Sequence, residues 1–201
     1  MVVRALLYLL INYANSVLGA TELPAPTAAL KFVVVGRGVQ NYTCSSAGAV
    51  PVAIGAVATL YDLTRLAKKN ESALHEVPPT IVYQPISTVA NGTQIYIDHH
   101  GVFPVIGKHY FAADGTPTFD LFAKGDILYG KKIAQVPAPA DANVGPAGTG
   151  AVPWLNLVNK GGSVGISEVY RVVTAGGMAP PTCANSTLIS IQYAAEYWVY
   201  K

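Results

Sequence analysis

After residue 20, apolar residues occur in short runs rich in Val, Ile, Tyr and Thr, and Gly or Pro interrupts these runs about every eight to twelve residues. The chain has 19 Gly and 14 Pro among its 201 residues, and no segment beyond residue 20 carries a sustained helical stripe. Short runs with these residue types are typical of strands. The pattern therefore predicts an all-β fold, a single-domain antiparallel β-sandwich or barrel with long loops.

The positions of individual elements follow from the same runs. We place a turn at Gly36-Arg37-Gly38, between the first two strands, and a helix or loop over 63–75. Residues 136–150 contain no bulky side chain except valine, so we expect a long exposed loop there. Strands are predicted at 31–35, 40–44, 50–61 (one or two strands around Gly55), 93–98, 109–112, 118–122, 127–135, 152–158, 167–174 and 190–200.

The first 20 residues have the layout of a secretory signal peptide. A basic start that includes Arg4 precedes an apolar run at 5–10, and small residues at 16–20 offer a cleavage site after Ala20. The apolar run is shorter than the ~20 residues that a membrane span requires, so we expect no membrane span. The predicted mature chain, 21–201, forms one all-β domain that is secreted to the cell surface or cell wall.

Charged residues are scarce, at 12% of the chain, against ~25% in an ordinary globular protein. The chain has 13 Lys+Arg and 11 Asp+Glu, so it lacks the strong basic excess of most nucleic-acid-binding domains. We interpret the two basic doublets, Lys68-Lys69 and Lys131-Lys132, as solvated loop charges. This charge balance argues against nucleic acid as a partner.

Two cysteines, Cys44 and Cys183, are far apart in the sequence. In a secreted protein, an isolated pair predicts one disulfide. It would close a loop of ~140 residues and contribute about 4–5 kcal/mol in the chain-entropy model. Four N-glycosylation sequons agree with the same compartment, and they begin at Asn41, Asn70, Asn91 and Asn185.

Two constellations suggest chemistry. Gly36 and Gly38 form a G-x-G after an apolar strand, but Asn41 occupies the third glycine position of a nucleotide loop and no helix follows. We therefore predict a hairpin turn there and no cofactor.

The second constellation comprises Asp98, His99, His100 and His109, which are metal ligands by residue type. Adjacent histidines on a strand point to opposite faces, so a shared site requires His99 and His100 to lie in a loop. We favour the alternative, a polar turn with one half-buried, hydrogen-bonded histidine. His109 remains the candidate functional residue, because an imidazole can titrate or bind a metal near neutral pH.

Three residues are predicted to be structural. Trp154 should pack under the 136–150 loop, and Arg171 should pair with a carboxylate from a neighbouring strand, because an unpaired buried guanidinium is costly. Glu196 and Glu168 lie in apolar contexts and are the candidate carboxylates.

Several strings occur in a characteristic order along the chain. They are Gly36-Arg37-Gly38-Val39-Gln40-Asn41-Tyr42-Thr43-Cys44, Ala179-Pro180-Pro181-Thr182-Cys183 and Tyr193-Ala194-Ala195-Glu196-Tyr197-Trp198, with shorter matches at 23–26, 51–56, 107–111, 152–155, 169–172 and 174–177. Together they resemble the secreted fungal and bacterial family called domain of unknown function 3455. The resemblance covers essentially the whole mature chain and implies secretion and a paired cysteine. Fungal members are often named malate dehydrogenase, but the chain lacks the nucleotide loop that this activity requires.

The low charge, the many tyrosines and the lack of a catalytic motif around any candidate nucleophile favour a binding or structural module. Tyrosine-rich sheet faces can stack on sugars, so the partner we expect is a cell-wall polysaccharide. The alternative function is an extracellular hydrolase or metal-dependent enzyme centred on His109. The residues specify no oligomeric state.

Overall fold

The computed structural model describes residues 23–86, 94–97 and 99–201. The predicted signal peptide, the sequon at Asn91 and the candidate ligand Asp98 lie outside the described residues. Over the described part of the chain, the elements are β1 (Leu30–Cys44), β2 (Val52–Asp62), α1 (Thr64–Lys69), α2 (Glu71–His75), α3 (Val77–Ile81), β3 (Gln94–Ile97), β4 (Gly101–Phe111), β5 (Pro117–Leu121), β6 (Asp126–Val136), β7 (Trp154–Asn159), β8 (Glu168–Gly176) and β9 (Thr187–Tyr200).

Eight of these strands form a closed antiparallel barrel. Their order is β2-β1-β9-β8-β7-β6-β5-β4, and β2 also pairs with β4, which joins the two ends of the sheet. In that last pairing Ala58 lies opposite His109, and Leu60 lies opposite Gly107. Strand β3 pairs with β4 outside the ring. The predicted all-β fold is confirmed. Of the predicted alternatives, a sandwich or a barrel, the sheet forms the barrel.

The first predicted turn is wrong, because β1 runs without interruption through Gly36-Arg37-Gly38. Both glycines pair with β2 on one side and with β9 on the other. A Cβ on Gly36 would lie 2.6 Å from Cε2 of Tyr197, and a Cβ on Gly38 would collide with the backbone of Val57. The glycines are required by close packing in the middle of a strand, and not by a turn.

The other predictions need smaller corrections. The 63–75 segment is helical, and the helical region continues to Ile81. Strand β4 begins at Gly101, eight residues before the predicted start. The 136–150 segment contains turns and many exposed residues, as expected of a long loop. Among the described residues, no helix has the length and apolarity needed to cross a membrane.

Both faces of the barrel wall are buried over much of its area. Val34 points into the barrel, whereas Val33 and Val35 point outward and are covered by the helical segment. This double burial explains why β1 reads as a continuous apolar run instead of an alternating one. The inner cluster includes Leu60, Phe119, Leu128, Val169, Tyr197 and Val199, and the outer cluster includes Leu74, Val77, Ile81, Trp154, Tyr170, Val172 and Trp198.

A buried arginine on the outer face ties the end of the helical segment to the barrel. The Arg37 guanidinium donates from Nε and Nη2 to the Gln84 carbonyl, at 3.2 and 2.7 Å, and from Nη1 to the Tyr193 carbonyl at 3.3 Å. Burial lowers the pKa of Arg37 to about 10, so the group stays charged at neutral pH. Its charge is therefore met by carbonyl dipoles from two parts of the chain.

Glu196 is fully buried on the same outer face, and its partner is a histidine. The His75 Nδ1 lies 2.7 Å from Oε1 of Glu196, and the Trp198 indole donates to Oε2 at 2.9 Å. The Nε2 atom of His75 lies 3.4 Å from Oε1 of Glu71. The expected pairing of Arg171 with Glu196 or Glu168 is wrong, and Glu168 instead accepts from Asn156 at 3.0 Å.

The disulfide is confirmed. Cys44, at the end of β1, is bonded to Cys183 in the segment that precedes β9. Two backbone hydrogen bonds flank the bridge, from Gly48 to the Cys183 carbonyl at 2.8 Å and from Cys183 to the Ala49 carbonyl at 2.7 Å. The bridge thus joins the ends of two strands that are neighbours in the barrel.

The His75 cluster predicts a pH dependence of stability. Burial lowers the pKa of His75, but its interactions with Glu196 and Glu71 outweigh burial, so the net pKa is raised. Burial also raises the pKa of Glu71. Stability from a raised pKa is complete below the unfolded value, about 6.5 for histidine, and is lost as the pH rises through the folded value.

We expect His75→Gln to lower the free energy of unfolding by about 1–3 kcal/mol at pH 6, and the deficit to shrink towards pH 8.5. Urea unfolding at several pH values measures it. His100→Gln is the matched control, because the His100 ring lies 3.8 Å from the Glu76 carboxylate, a longer ion pair than that of His75 with Glu196. A deficit for His75→Gln that is constant across this pH range would contradict the assigned cluster.

Candidate ligand-binding cavity

The barrel interior is filled at one end and open at the other. Aliphatic side chains that include Val34, Leu60, Leu121 and Leu128 pack the filled half. The open half is a cavity of about 750 Å³. The cavity lies where β4 and β6 end and where β2, β5 and β7 begin. These ends and starts meet at one end of the barrel because neighbouring strands run antiparallel.

The cavity has an apolar and aromatic interior beneath a basic rim. Phe119, Leu157 and Tyr197 belong both to the packed inner core and to the cavity lining, so they form its floor. Ile54, Phe111, Pro117 and Leu155 line the sides, and Lys131, Lys132 and Lys160 line the rim.

His109 faces into the barrel and lines the cavity, but the protein already holds its ring. The side chain is 4% exposed, its Nδ1 lies 2.9 Å from the Thr118 carbonyl, and the ring stacks on Phe119 with 4.1 Å between centroids. Because a carbonyl only accepts, Nδ1 carries the proton and Nε2 has the lone pair. Burial lowers the pKa of His109 to about 4, so the ring is neutral at pH 7.

The other candidate histidines lie at the opposite end of β4. His99 and His100 form the turn before Gly101, and roughly 30 Å of extended strand separates them from His109. Among the described residues, no three His, Cys, Asp or Glu side chains are grouped closely enough to hold a metal ion. The structure thus does not bring His109 together with His99 or His100.

Arg171 also lines the cavity, and its hydrogen bonds go to a carbonyl. Nε and Nη2 donate to the Pro153 carbonyl at 3.2 and 2.8 Å. The side chain, 8% exposed, also interacts with the Tyr197 hydroxyl, whose pKa is raised by burial and lowered in smaller part by Arg171. Within the part of the chain that the structure describes, Arg171 makes no ion pair with a carboxylate, so the predicted pairing is wrong.

Gln40 is a site residue that the sequence analysis missed. It lines the cavity and is only 8% exposed, and its Nε2 is a buried donor without a hydrogen-bond partner in the part of the chain that the structure describes. The alternation of side chains along a strand could have identified it from the sequence. In the uninterrupted β1, Val34 faces inward, and every second residue from it, Gly36, Gly38 and Gln40, shares that face. The assumed turn at Gly36-Arg37-Gly38 concealed this register.

The remaining predicted site residues lie away from the cavity. Trp154 belongs to the outer cluster, which also contains Val136 and against which Ala138 packs. The Asn70 side chain caps α2 by accepting from the Ala73 amide at 3.1 Å.

The asparagines of the other described sequons are not among the described residues that line the cavity. The Asn41 Oδ1 lies 2.7 Å from the Ser190 hydroxyl, near the end of β1 and the start of β9. Asn185 is exposed in the segment between Cys183 and β9.

These features define a closed eight-stranded antiparallel barrel with a small-molecule-sized cavity at one end, an interior that barrels of this size either fill or reserve for one ligand. The chain matches the family model described as "Protein of unknown function (DUF3455)" over residues 24–201, and it belongs to that family. No curated protein and no solved structure matches the chain.

The environment of His109 makes a direct prediction. Because its pKa is lowered to about 4 by burial, we expect its ring proton signals to stay constant in NMR spectra between pH 5.5 and 8. A His109→Phe variant assigns the signals. A titration with a midpoint between 6 and 7 would show that the ring is solvated, and would restore His109 as an acid–base or metal-binding candidate.

Proposed function

We propose that this protein is a binding protein that takes one small organic molecule into the open end of the barrel. The observation that carries the proposal is Gln40 Nε2, a buried donor that has no partner among the described residues and lies in the wall of a cavity of about 750 Å³. Leaving such a donor unpaired costs about 1–3 kcal/mol, which a ligand acceptor would recover. The volume falls within the ~300–1,000 Å³ range of ligand sites.

The chemistry of the lining supports the same proposal. Ligand sites are mostly apolar, with a few polar groups that orient the bound molecule. Here Phe111, Phe119 and Leu155 supply apolar surface, while Gln40 and Arg171 supply hydrogen-bond donors. A ligand of mixed polarity would match both parts.

The enzyme alternatives have less support. His109 is alone among the candidate histidines in the cavity, and its Nδ1 is engaged with a backbone carbonyl. Malate oxidation needs a nucleotide loop, whereas Gly36 and Gly38 lie within a continuous strand. Neither arrangement supplies the set of groups that those reactions require.

We also propose that the protein is secreted and acts at the cell surface or wall. The Cys44–Cys183 disulfide supports an oxidising compartment. Exposed Asn185 supports glycosylation there, whereas the side chains of Asn41 and Asn70 already make hydrogen bonds. We also propose a cell-wall polysaccharide as a larger partner. It would bind at the outer surface of the barrel or through the end of a polysaccharide chain.

Ligand binding is tested with N-phenyl-1-naphthylamine, an uncharged aromatic dye that fluoresces in apolar sites. We expect saturable binding with one site per chain. Leu155→Trp projects a larger side chain into the cavity and should weaken binding about tenfold or more, equivalent to at least ~1.4 kcal/mol. Leu188→Trp is the matched control, because Leu188 is exposed and does not line the cavity.

Ile54→Trp, on the side of the cavity, is a second blocking variant and covers the case in which Leu155→Trp does not fold. Saturable binding that neither blocking variant weakens would place the dye outside the barrel and contradict the proposal. The absence of binding by the wild-type protein would also contradict it.

Secretion is tested by expressing the full chain in a eukaryotic secretion host. We expect protein in the medium that begins at Thr21, with a glycan that Asn185→Gln removes and Asn70→Gln does not. The secreted protein is then incubated with chitin or β-glucan, where we expect retention. Retention inside the cell would contradict secretion, and full recovery of the protein from the unbound fraction would contradict wall binding.

A further inference from the structure

The charges that line the cavity are unequal in number. Among the described lining residues, four are cationic, Lys131, Lys132, Lys160 and Arg171, and one carries a carboxylate, Asp114. The whole chain is nearly balanced, with 13 Lys+Arg and 11 Asp+Glu. The net positive charge of the chain is therefore concentrated among the residues that line the cavity.

The single carboxylate is already engaged. Asp114 accepts from Lys160 Nζ at 3.0 Å and from the Thr116 amide at 3.0 Å. Hydrogen bonds from Thr116 and Lys160 lower the pKa of Asp114 to about 2, so it stays ionised with these partners. After this pairing, no described carboxylate of the lining is left for Lys131, Lys132 or Arg171.

Arg171 is the buried member of this set, and the described groups that interact with it are neutral. It donates two hydrogen bonds to the Pro153 carbonyl, and the ring of His109 is neutral at pH 7. Burial raises the pKa of both Tyr42 and Tyr197, so their hydroxyls keep their protons. A buried cation without a counter-ion is unfavourable, and one from a ligand would compensate it.

We propose that the cavity binds a small organic anion. Arg171 and Gln40 donate hydrogen bonds to its anionic oxygen group, and the apolar wall covers its hydrocarbon body. The inference rests on the proposed binding function and adds the charge class of the ligand. A carboxylate or a sulfonate satisfies the same donors, whereas an extended polyanion does not fit a cavity that is closed at its floor.

Lys131 and Lys132 have a defined role in this arrangement. The sequence analysis treated them as loop charges, but they lie on β6 at the rim of the cavity. Both are exposed, and Lys132 donates to Gln135 at 2.7 Å. Positive charge around an opening attracts anions towards it and repels cations.

Two dyes with the same aromatic body separate charge from apolar contact. 8-Anilinonaphthalene-1-sulfonate carries an anionic group, and N-phenyl-1-naphthylamine is its uncharged counterpart. At low salt, we expect the sulfonate dye to bind the wild-type cavity more tightly than the uncharged dye. Leu155→Trp should weaken both, which locates them in the same site.

The rim is tested by the double variant Lys131→Met/Lys132→Met. We expect the sulfonate dye to bind about threefold to tenfold more weakly, as for two exposed charge interactions, and the uncharged dye to be unaffected. Lys68→Met/Lys69→Met is the matched control, because it removes the same charge from α1, outside the cavity. An equal loss in both double variants would overturn the proposal.

The interior is tested by Arg171→Met and Gln40→Leu. We expect Arg171→Met to weaken sulfonate binding about tenfold to a hundredfold, as for a hydrogen bond to a charged group, with a smaller loss for Gln40→Leu. If Arg171→Met does not fold, Gln40→Leu and the rim variant decide the result.

The possible outcomes separate the two proposals. If the uncharged dye binds in the cavity but sulfonate binding is unchanged by these variants, the anion inference is wrong and the binding function stands. If neither dye binds, the binding function fails, and the anion inference fails with it.

Discussion

The pairing of β2 with β4 is the interaction on which the rest of the structure depends. It joins Ala58–Tyr61 to the strand that contains Val105 and His109, and so turns an open sheet into a ring. Closure removes both sheet edges and creates an interior that water cannot reach from the sides. An open sheet would leave the inner cluster exposed on one face, and the cavity would not exist.

Space inside the ring is divided by side-chain size. Gly36 allows the ring of Tyr197 to lie against the backbone of β1, and this aromatic floor separates the packed half from the open half. Below it, buried aliphatic residues such as Leu60 and Leu128 pack together as a core. Above it, the wall is lined by side chains that leave room for a small molecule.

Buried polar groups line both faces of the wall. On the outer face, Arg37 reaches carbonyls from two parts of the chain, and Glu196 has both His75 and Trp198. Several buried polar atoms, Trp154 Nε1 and Gln40 Nε2 among them, have no hydrogen-bond partner among the described residues. Gln40 is the residue of this set that lines the cavity, so its Nε2 is the unsatisfied donor that a ligand there would reach.

The sequence by itself determined the strand-rich fold class, the Cys44–Cys183 bridge and the family. The fold class and the family follow from local residue types, and the bridge follows because the chain has two cysteines, which allow a single intramolecular pairing. It did not determine the role of Gly36, because a glycine required by a turn and one required by the distant Tyr197 look the same in sequence. The partner of Arg171 and the position of Gln40 depend on which strands meet across the ring. Register and closure are properties of pairings between residues far apart along the chain, so only the tertiary structure decided them.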